Sequence, residues 1–323
     1  MKTLKALLSF GFILVIMLLS GCGQSSVAEK TPSSITNVSP TRTRKPILTA
    51  TPSPISPQTA VPTLDEEQAR ARLLELLANN GECRLPCLWG IMPGLSSYQE
   101  ARSILKPLTS ISQSTHLNSA SPNDISPIYA DSDLTISTSI AYIYTTSGLV
   151  SSIAFRAGAS QENKDGYISV FDSEIFGRRA SAYMLPNILS EQGKPEAVLI
   201  STVGGYERGK NVPGFYLLLF YPDQGLFVSY TTSRQLAGGN VRGCFANAQV
   251  ELRLYPPGQP DTFASNLAQT QWKNLWPVHV DSPNWKSIEN ASSMNLEQFY
   301  EIFRQRTDKC IETPANIWPI LKS

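Results

Sequence analysis

Two runs rich in apolar and β-branched residues, Phe215–Tyr221 and Leu226–Thr231, flank the short break Pro222-Asp223-Gln224-Gly225. Proline and glycine in such a break are turn formers, and the flanking side chains suit a pleated sheet, so the stretch predicts an antiparallel hairpin. A second hairpin is expected from Leu134–Thr145, a turn at Ser147-Gly148, and the alternating run Leu149–Arg156. The turns resemble each other: Tyr144 precedes Gly148-Leu149 by four residues, as Tyr221 precedes Gly225-Leu226. A tandem repeat of helix plus hairpin is one account; chance likeness of two hairpins is the other. The fold expected is α+β: antiparallel sheet with helices on one face, two tandem helix-plus-hairpin units, and a disulfide-stapled C-terminal helix.

The helices announce themselves by their first turns. Thr63-Leu64-Asp65-Glu66 has the pattern of a capping box, and a helix is expected from there to about Ala78, ended by Asn79-Asn80-Gly81. Ser97-Tyr98-Gln99-Glu100 is a second box, followed by the apolar stripe Ala101, Ile104, Leu105, Leu108 and stopped by Pro107. A polar loop is expected over Thr109–Asn123. Leu185–Gln192 predicts a short helix with Gly193 after its end, leading to a strand over Ala197–Val203. Val250, Leu252 and Leu254 alternate with Glu251 and Arg253 as in a half-buried strand, and Leu296, Phe299, Tyr300 and Phe303 mark one face of a last helix.

The N-terminus carries a different message. Lys2 and Lys5 precede an apolar run, Ala6–Leu18, that ends in Leu19-Ser20-Gly21-Cys22. This is the tripartite pattern of an export signal and is shorter than the roughly 20 apolar residues that span a bilayer. The last four residues form a lipobox, and the chain resembles bacterial membrane lipoproteins. That resemblance implies a diacylglyceryl group on the Cys22 thiol, removal of residues 1–21, further acylation (palmitate), and anchoring at the extracytoplasmic face. Each buried methylene adds about 0.8 kcal/mol, so more than one chain makes the attachment long-lived. Residues 22–62 are then the lipidated cysteine and a tether dominated by Ser, Thr and Pro, too polar to offset the entropy of ordering. At about 3.1 Å per residue its reach is at most roughly 120 Å. The body divides into an expected α+β unit over 63–160 and a second over 161–323, the latter including the C-terminal helix.

Beyond Cys22 the chain has four cysteines, Cys83, Cys87, Cys244 and Cys310. An even number in an exported chain points to disulfides. Three pairings are open, and Cys83–Cys87 with Cys244–Cys310 is preferred. Metal binding or thiol redox are the alternatives for Cys83 and Cys87. A metal needs more ligands, and the two histidines, His116 and His279, have no clustered spacing. A redox pair has two intervening residues where this one has three. No metal and no cofactor are expected.

Lys+Arg 27 against Asp+Glu 26 leaves a net charge of +1, without the basic surplus of a nucleic-acid binder. No nucleophile elbow, zinc-protease, phosphate-loop or dinucleotide motif occurs, so no catalytic residue is assigned. Trp272, Trp276 and Trp285 sit in an irregular polar-flanked stretch, either as packing under a long loop or as a binding surface.

Two further resemblances bear on function. Cys83-Arg84-Leu85-Pro86-Cys87-Leu88-Trp89-Gly90-Ile91-Met92-Pro93-Gly94 resembles a Cys-x-Leu-Pro-Cys-Trp-Trp-Gly-Ile-x-Pro-Gly segment of uncharacterised bacterial lipoproteins, with Leu88 for the first Trp. Pro93-Gly94-Leu95-Ser96 and Gln192-Gly193-Lys194-Pro195-Glu196-Ala197-Val198 resemble parts of small outer-membrane lipoproteins of the SmpA/OmlA (BamE-like) type. That likeness implies a non-enzymatic interaction module. The function expected is a membrane-anchored, non-catalytic interaction or envelope-structural lipoprotein whose partner is an unknown envelope protein or ligand. An extracytoplasmic hydrolase and a small-ligand-binding lipoprotein are the alternatives.

Overall fold

A computed structural model describes residues 63–117, 123–131, 134–145, 147–163, 166–202, 205–207, 210–212, 214–270, 275, 283–305 and 308–319. The lipobox, Cys22, the Ser/Thr/Pro tether, Trp272, Trp276 and His279 lie outside the described residues.

The first half contains α1 (Glu66–Asn79), α2 (Tyr98–Leu105), β1 (Ser112–His116), β2 (Asn123–Asp131), β3 (Leu134–Tyr144), β4 (Val150–Asn163) and β5 (Gly166–Val170). The second contains α3 (Glu174–Arg179), α4 (Leu185–Gln192), β6 (Ala197–Ser201), β7 (Gly205–Glu207), β8 (Lys210–Val212), β9 (Gly214–Tyr221), β10 (Leu226–Ser233), β11 (Gln235–Ala237), β12 (Asn240–Gly243) and β13 (Gln249–Leu254). It continues through α5 (Pro260–Leu267), β14 (Lys286–Ser287), α6 (Ile288–Ala291), α7 (Leu296–Phe303) and β15 (Ile311–Pro314).

One antiparallel sheet joins both halves in the order β1-β2-β3-β4-β13-β10-β9-β6-β14, with β5 on β4. Strands β1 to β4 follow the chain from one edge to the middle. Strands β6, β9, β10 and β13 approach the middle from the other side, and β4 meets β13 with Ala157 opposite Val250 and Ile153 opposite Leu254. Each half is thus a set of helices followed by a four-stranded meander. The fold is α+β.

The turn likeness seen in the sequence is out of step with this arrangement. Tyr144 ends β3, whose position in its meander matches β10, whereas Tyr221 ends β9. Local turn chemistry repeats in any antiparallel hairpin and does not report where that hairpin lies in a sheet.

Alternation along the strands gives the sheet two faces. Ile136, Ile140 and Tyr142 of β3, Phe155 and Ala157 of β4, and Leu252 and Leu254 of β13 point into the main core. They meet Leu73, Leu76 and Leu77 of α1, Leu105 of α2, Phe176 of α3, Ile188 and Leu189 of α4, and Phe299 and Phe303 of α7. Burying such side chains contributes roughly 1.5–3 kcal/mol each, before the entropy of ordering is subtracted. On the opposite face Leu199, Leu218, Phe220 and Phe227 form a second apolar cluster beneath Phe263 and Leu267 of α5. The helices therefore do not all share one face: α5 covers one end of the other.

Several local expectations shift. The first cap is Asp65, whose carboxylate accepts from the Gln68 backbone N–H at 2.8 Å while Gln68 reciprocates, so the box starts two residues later than the Thr63 reading. Asp65-x-x-Gln68 satisfies the same pattern, and an aspartate caps at least as well as a threonine. The second box, Ser97 with Glu100, forms as read. The stretch expected as a polar loop contains β1, whose Ser-Gln-Ser-Thr-His composition lacks apolar alternation. Strand β12 pairs with β15, Gly243 opposite Ile311, so Cys244 and Cys310 are the next cross-strand pair. Their Cα atoms are 4.3 Å apart, near the spacing of about 4.5 Å for the closer class of antiparallel pairs. This disulfide staples two strand ends, and reaches α7 only through the loop before Cys310.

Candidate functional site

Two regions concentrate polar side chains: a buried knot around the Cys83–Cys87 loop and an open trough on the uncovered part of the sheet.

The knot forms where α1 ends. Asn80 adopts the left-handed conformation with φ 54°, a helix stop that asparagine tolerates, and its amide is buried. Its Nδ2 donates to the carbonyls of Cys83 at 2.6 Å and Cys87 at 2.8 Å. Its Oδ1 accepts from the Trp89 backbone N–H at 3.3 Å and from the Tyr183 hydroxyl at 2.9 Å. The Trp89 indole N–H donates to that same hydroxyl at 2.7 Å. Burial pushes the Tyr183 phenol well above its ordinary range, so it stays protonated. Trp89 meets Phe155 edge-on with ring centroids 5.8 Å apart, and Tyr230 donates to the Tyr183 carbonyl at 2.9 Å. Cys83 and Cys87 are bonded, with Cα atoms 5.8 Å apart. Gly81 faces the Trp89 backbone, where a Cβ would come within 3.2 Å. The most distinctive sequence segment thus fastens α1, the β4 face and the segment before α4 to one another. Pro93–Ser96 then lies along the β3–β4 turn, with Gly94 N–H donating to Val150 at 2.7 Å and Val150 N–H to Ser96 at 2.8 Å.

The trough occupies the face that the helices leave open and has a volume of about 590 Å³. Its floor is a row of residues crossing the strands. Ile128 of β2 is opposite Ser137 of β3, and Ser137 is opposite Gly158 of β4. Gln249 of β13 lies against Gly158, since a Cβ on that glycine would come within 3.0 Å of the Gln249 amide carbon. Gln249 is opposite Thr231 of β10, and Thr231 opposite Tyr216 of β9. Six strands at about 4.8 Å spacing make this row about 24 Å long. The missing Cβ at Gly158 is what allows the Gln249 side chain to lie across the floor and donate to the Ala159 carbonyl at 3.2 Å.

A parallel row carries the charge. Ser139, Arg156, Glu251 and Ser229 are successive cross-strand neighbours. Arg156 Nε donates to Glu251 Oε2 at 2.9 Å, and Arg253 Nε to Glu251 Oε1 at 2.9 Å. Glu251 is held between two guanidiniums at the wall of the trough, with its side chain 12% exposed, while that of Arg156 is 57% exposed. At the far end the Tyr216 ring sits 6.2 Å from that of Trp285, and burial raises the Tyr216 phenol pKa. Trp285 also packs against the apolar cluster beneath α5, so it serves packing and backs the Tyr216 ring at once.

Of the sequence-derived site residues, the structure joins the four cysteines in two bonds and sets Trp285 behind Tyr216, outside the trough lining itself. Sequence reasoning missed the trough residues. Their only signal is that many positions alternating with the core of β3 and β4, such as Ser137, Ser139, Gly158 and Ser160, are short, hydroxylated or glycine. Among the described residues no cluster of three or more His, Cys, Asp or Glu side chains gathers to hold a metal ion. Among them no helix is long and apolar enough to cross a membrane. No family model, curated protein or solved structure matches this chain.

Proposed function

We propose that the chain is a lipid-anchored extracytoplasmic binding module: Cys22 carries the acyl chains, residues 22–62 act as tether, and the folded body holds its ligand or partner on the open face of the sheet without transforming it. The observation that carries this reading is the asymmetry of the sheet. Helices fill one face, and among the described residues the other, over β2, β3, β4 and β13, presents an open trough of mixed polar and apolar lining. Among the described residues Glu251 is the one carboxylate lining that trough, and it is engaged by Arg156 and Arg253. An acid–base pair of the kind hydrolysis uses requires a second titratable group in reach. The two disulfides agree with an oxidising, extracytoplasmic location.

The anchor is tested by expressing the full chain and its Cys22→Ala variant in a bacterium fed labelled palmitate. The reading expects label and membrane partitioning in the parent and neither in the variant. A variant that stays with the membrane, or an unlabelled parent, overturns it. Capture of the anchored protein with its envelope contacts tests the second half: a reproducible bound component supports a binding module, and turnover of a wall or glycan substrate defeats it.

A further inference from the structure

We infer that the trough takes a neutral glycan chain laid across the strands, an inference that rests on the open face being the binding surface. Three observations converge. First, the row of floor residues crosses β2, β3, β4, β13, β10 and β9, each paired on both sides, so recognition along that row falls to side chains; the edge strands β1 and β5 only border it, through Gln113 and Ser169. Second, Ser137, Ser139, Ser160 and Thr231 place short hydroxyls on a floor opened further by Gly158, beside apolar side chains such as Ile128 and Phe171. A hydroxyl both donates and accepts, which matches a ligand whose own groups do the same. Third, the charged side chains lining the trough are Arg156 and Glu251, and Glu251 is shared with Arg253, so the cluster carries a net +1 with its carboxylate engaged. A polycation gains nothing there, and a single surplus charge is a weak hold on a polyanion.

The same lining disfavours other occupants. The centres of protein–protein interfaces are rich in aromatic residues, Met and Arg and poor in Ser, the reverse of this floor. Pockets for apolar small molecules are lined mainly by hydrophobic side chains. The aromatic side chain at one end of the row, Tyr216 backed by Trp285, offers the flat apolar surface that a sugar ring presents its C–H face to. A row of about 24 Å accommodates several sugar units.

The test uses the full-length lipidated protein in phosphatidylglycerol–phosphatidylcholine vesicles, titrated with cellohexaose, chitohexaose and xylohexaose by calorimetry. At least one saturates, and Ser137→Trp, which fills the floor from an exposed strand position, weakens it by about tenfold or more. Glu67→Ala, on the exposed side of α1, leaves the affinity unchanged, and an unchanged melting temperature shows that both variants fold. No saturation by any of the three, or equal affinity in Ser137→Trp, overturns the inference. So does binding of polyglutamate or polylysine in preference to the neutral chains. An envelope protein captured through position 137 gives the trough to a protein partner: the glycan inference falls and the anchored module stands. Should Cys22→Ala stay at the membrane while cellohexaose still binds, the anchor falls and the glycan site stands.

Discussion

The knot beneath the sheet and the trough above it are both polar, and they differ in what their polar atoms do. In the knot, Asn80, Trp89 and Tyr183 satisfy one another, and little remains for a ligand. In the trough, hydroxyls of β3, β4 and β10 line open space on residues that the core does not require. The knot is where the sequence is most unusual and the trough where it is most ordinary. Unusual residues are demanded where a buried polar group must find its partner, because an unsatisfied one costs about 1–3 kcal/mol. A surface that offers many equivalent hydroxyls makes no single residue indispensable, and leaves correspondingly little trace.

Substitutions break this contrast in graded steps. Trp89→Ala removes a buried ring and its indole N–H together, and is expected to destabilise by about 4 kcal/mol in denaturant unfolding. A loss below 1 kcal/mol means the knot is not structural. The double variant Cys244→Ala/Cys310→Ala opens a loop with a sequence separation of 66 and is expected to cost roughly 4 kcal/mol by the chain-entropy estimate, against roughly 2 for Cys83→Ala/Cys87→Ala. Equal losses would show that the short loop stabilises through the Asn80 contacts rather than by closure. Tyr183→Phe leaves the Trp89 indole N–H without its acceptor and is expected to cost about 2 kcal/mol, read as a shift of the denaturation midpoint with unchanged slope.

Trough variants belong at the other end of the scale. Arg156→Ala removes an ion pair whose arginine is more than half exposed, and is expected to change stability by less than about 1 kcal/mol while altering what the trough binds. The smallest effect is at the α2 cap. Ser97 backbone and side-chain donors hold the Glu100 carboxyl below its ordinary pKa of 4.5. A lowered folded-state pKa means that the stabilisation is present above 4.5 and is lost as pH falls through the folded value. Glu100→Gln is therefore expected to show a shallower decline of stability on acidification than the parent, a difference read from melting curves across that range. A parallel decline removes the cap from the acid response.

Much of the fold was legible in the sequence, and the reason is local. Ser97 with Glu100, Gly193 after α4 and the turn at Pro222–Gly225 each act within a few residues, so their chemistry is written where it acts. The alternation in β13 was equally plain. Strand β1 was not, since Ser112–His116 becomes a strand only through pairing with β2. Nor was the meeting of β4 with β13, which joins residues 93 positions apart through Ala157 and Val250. The trough inherits that limit. Ser137, Gly158, Gln249 and Thr231 become neighbours only once both meanders share a sheet, and nothing in any one segment marks it as a floor.

The central claim is that the uncovered face, and not the helical one, meets whatever this chain binds. Photo-crosslinking from the anchored full-length protein in its native envelope tests it directly, with the reactive group placed at Ser139 in the trough or at Glu75 on the exposed side of α1. The account predicts a discrete adduct from position 139 and none from position 75. Adducts from position 75 with none from 139 would contradict it.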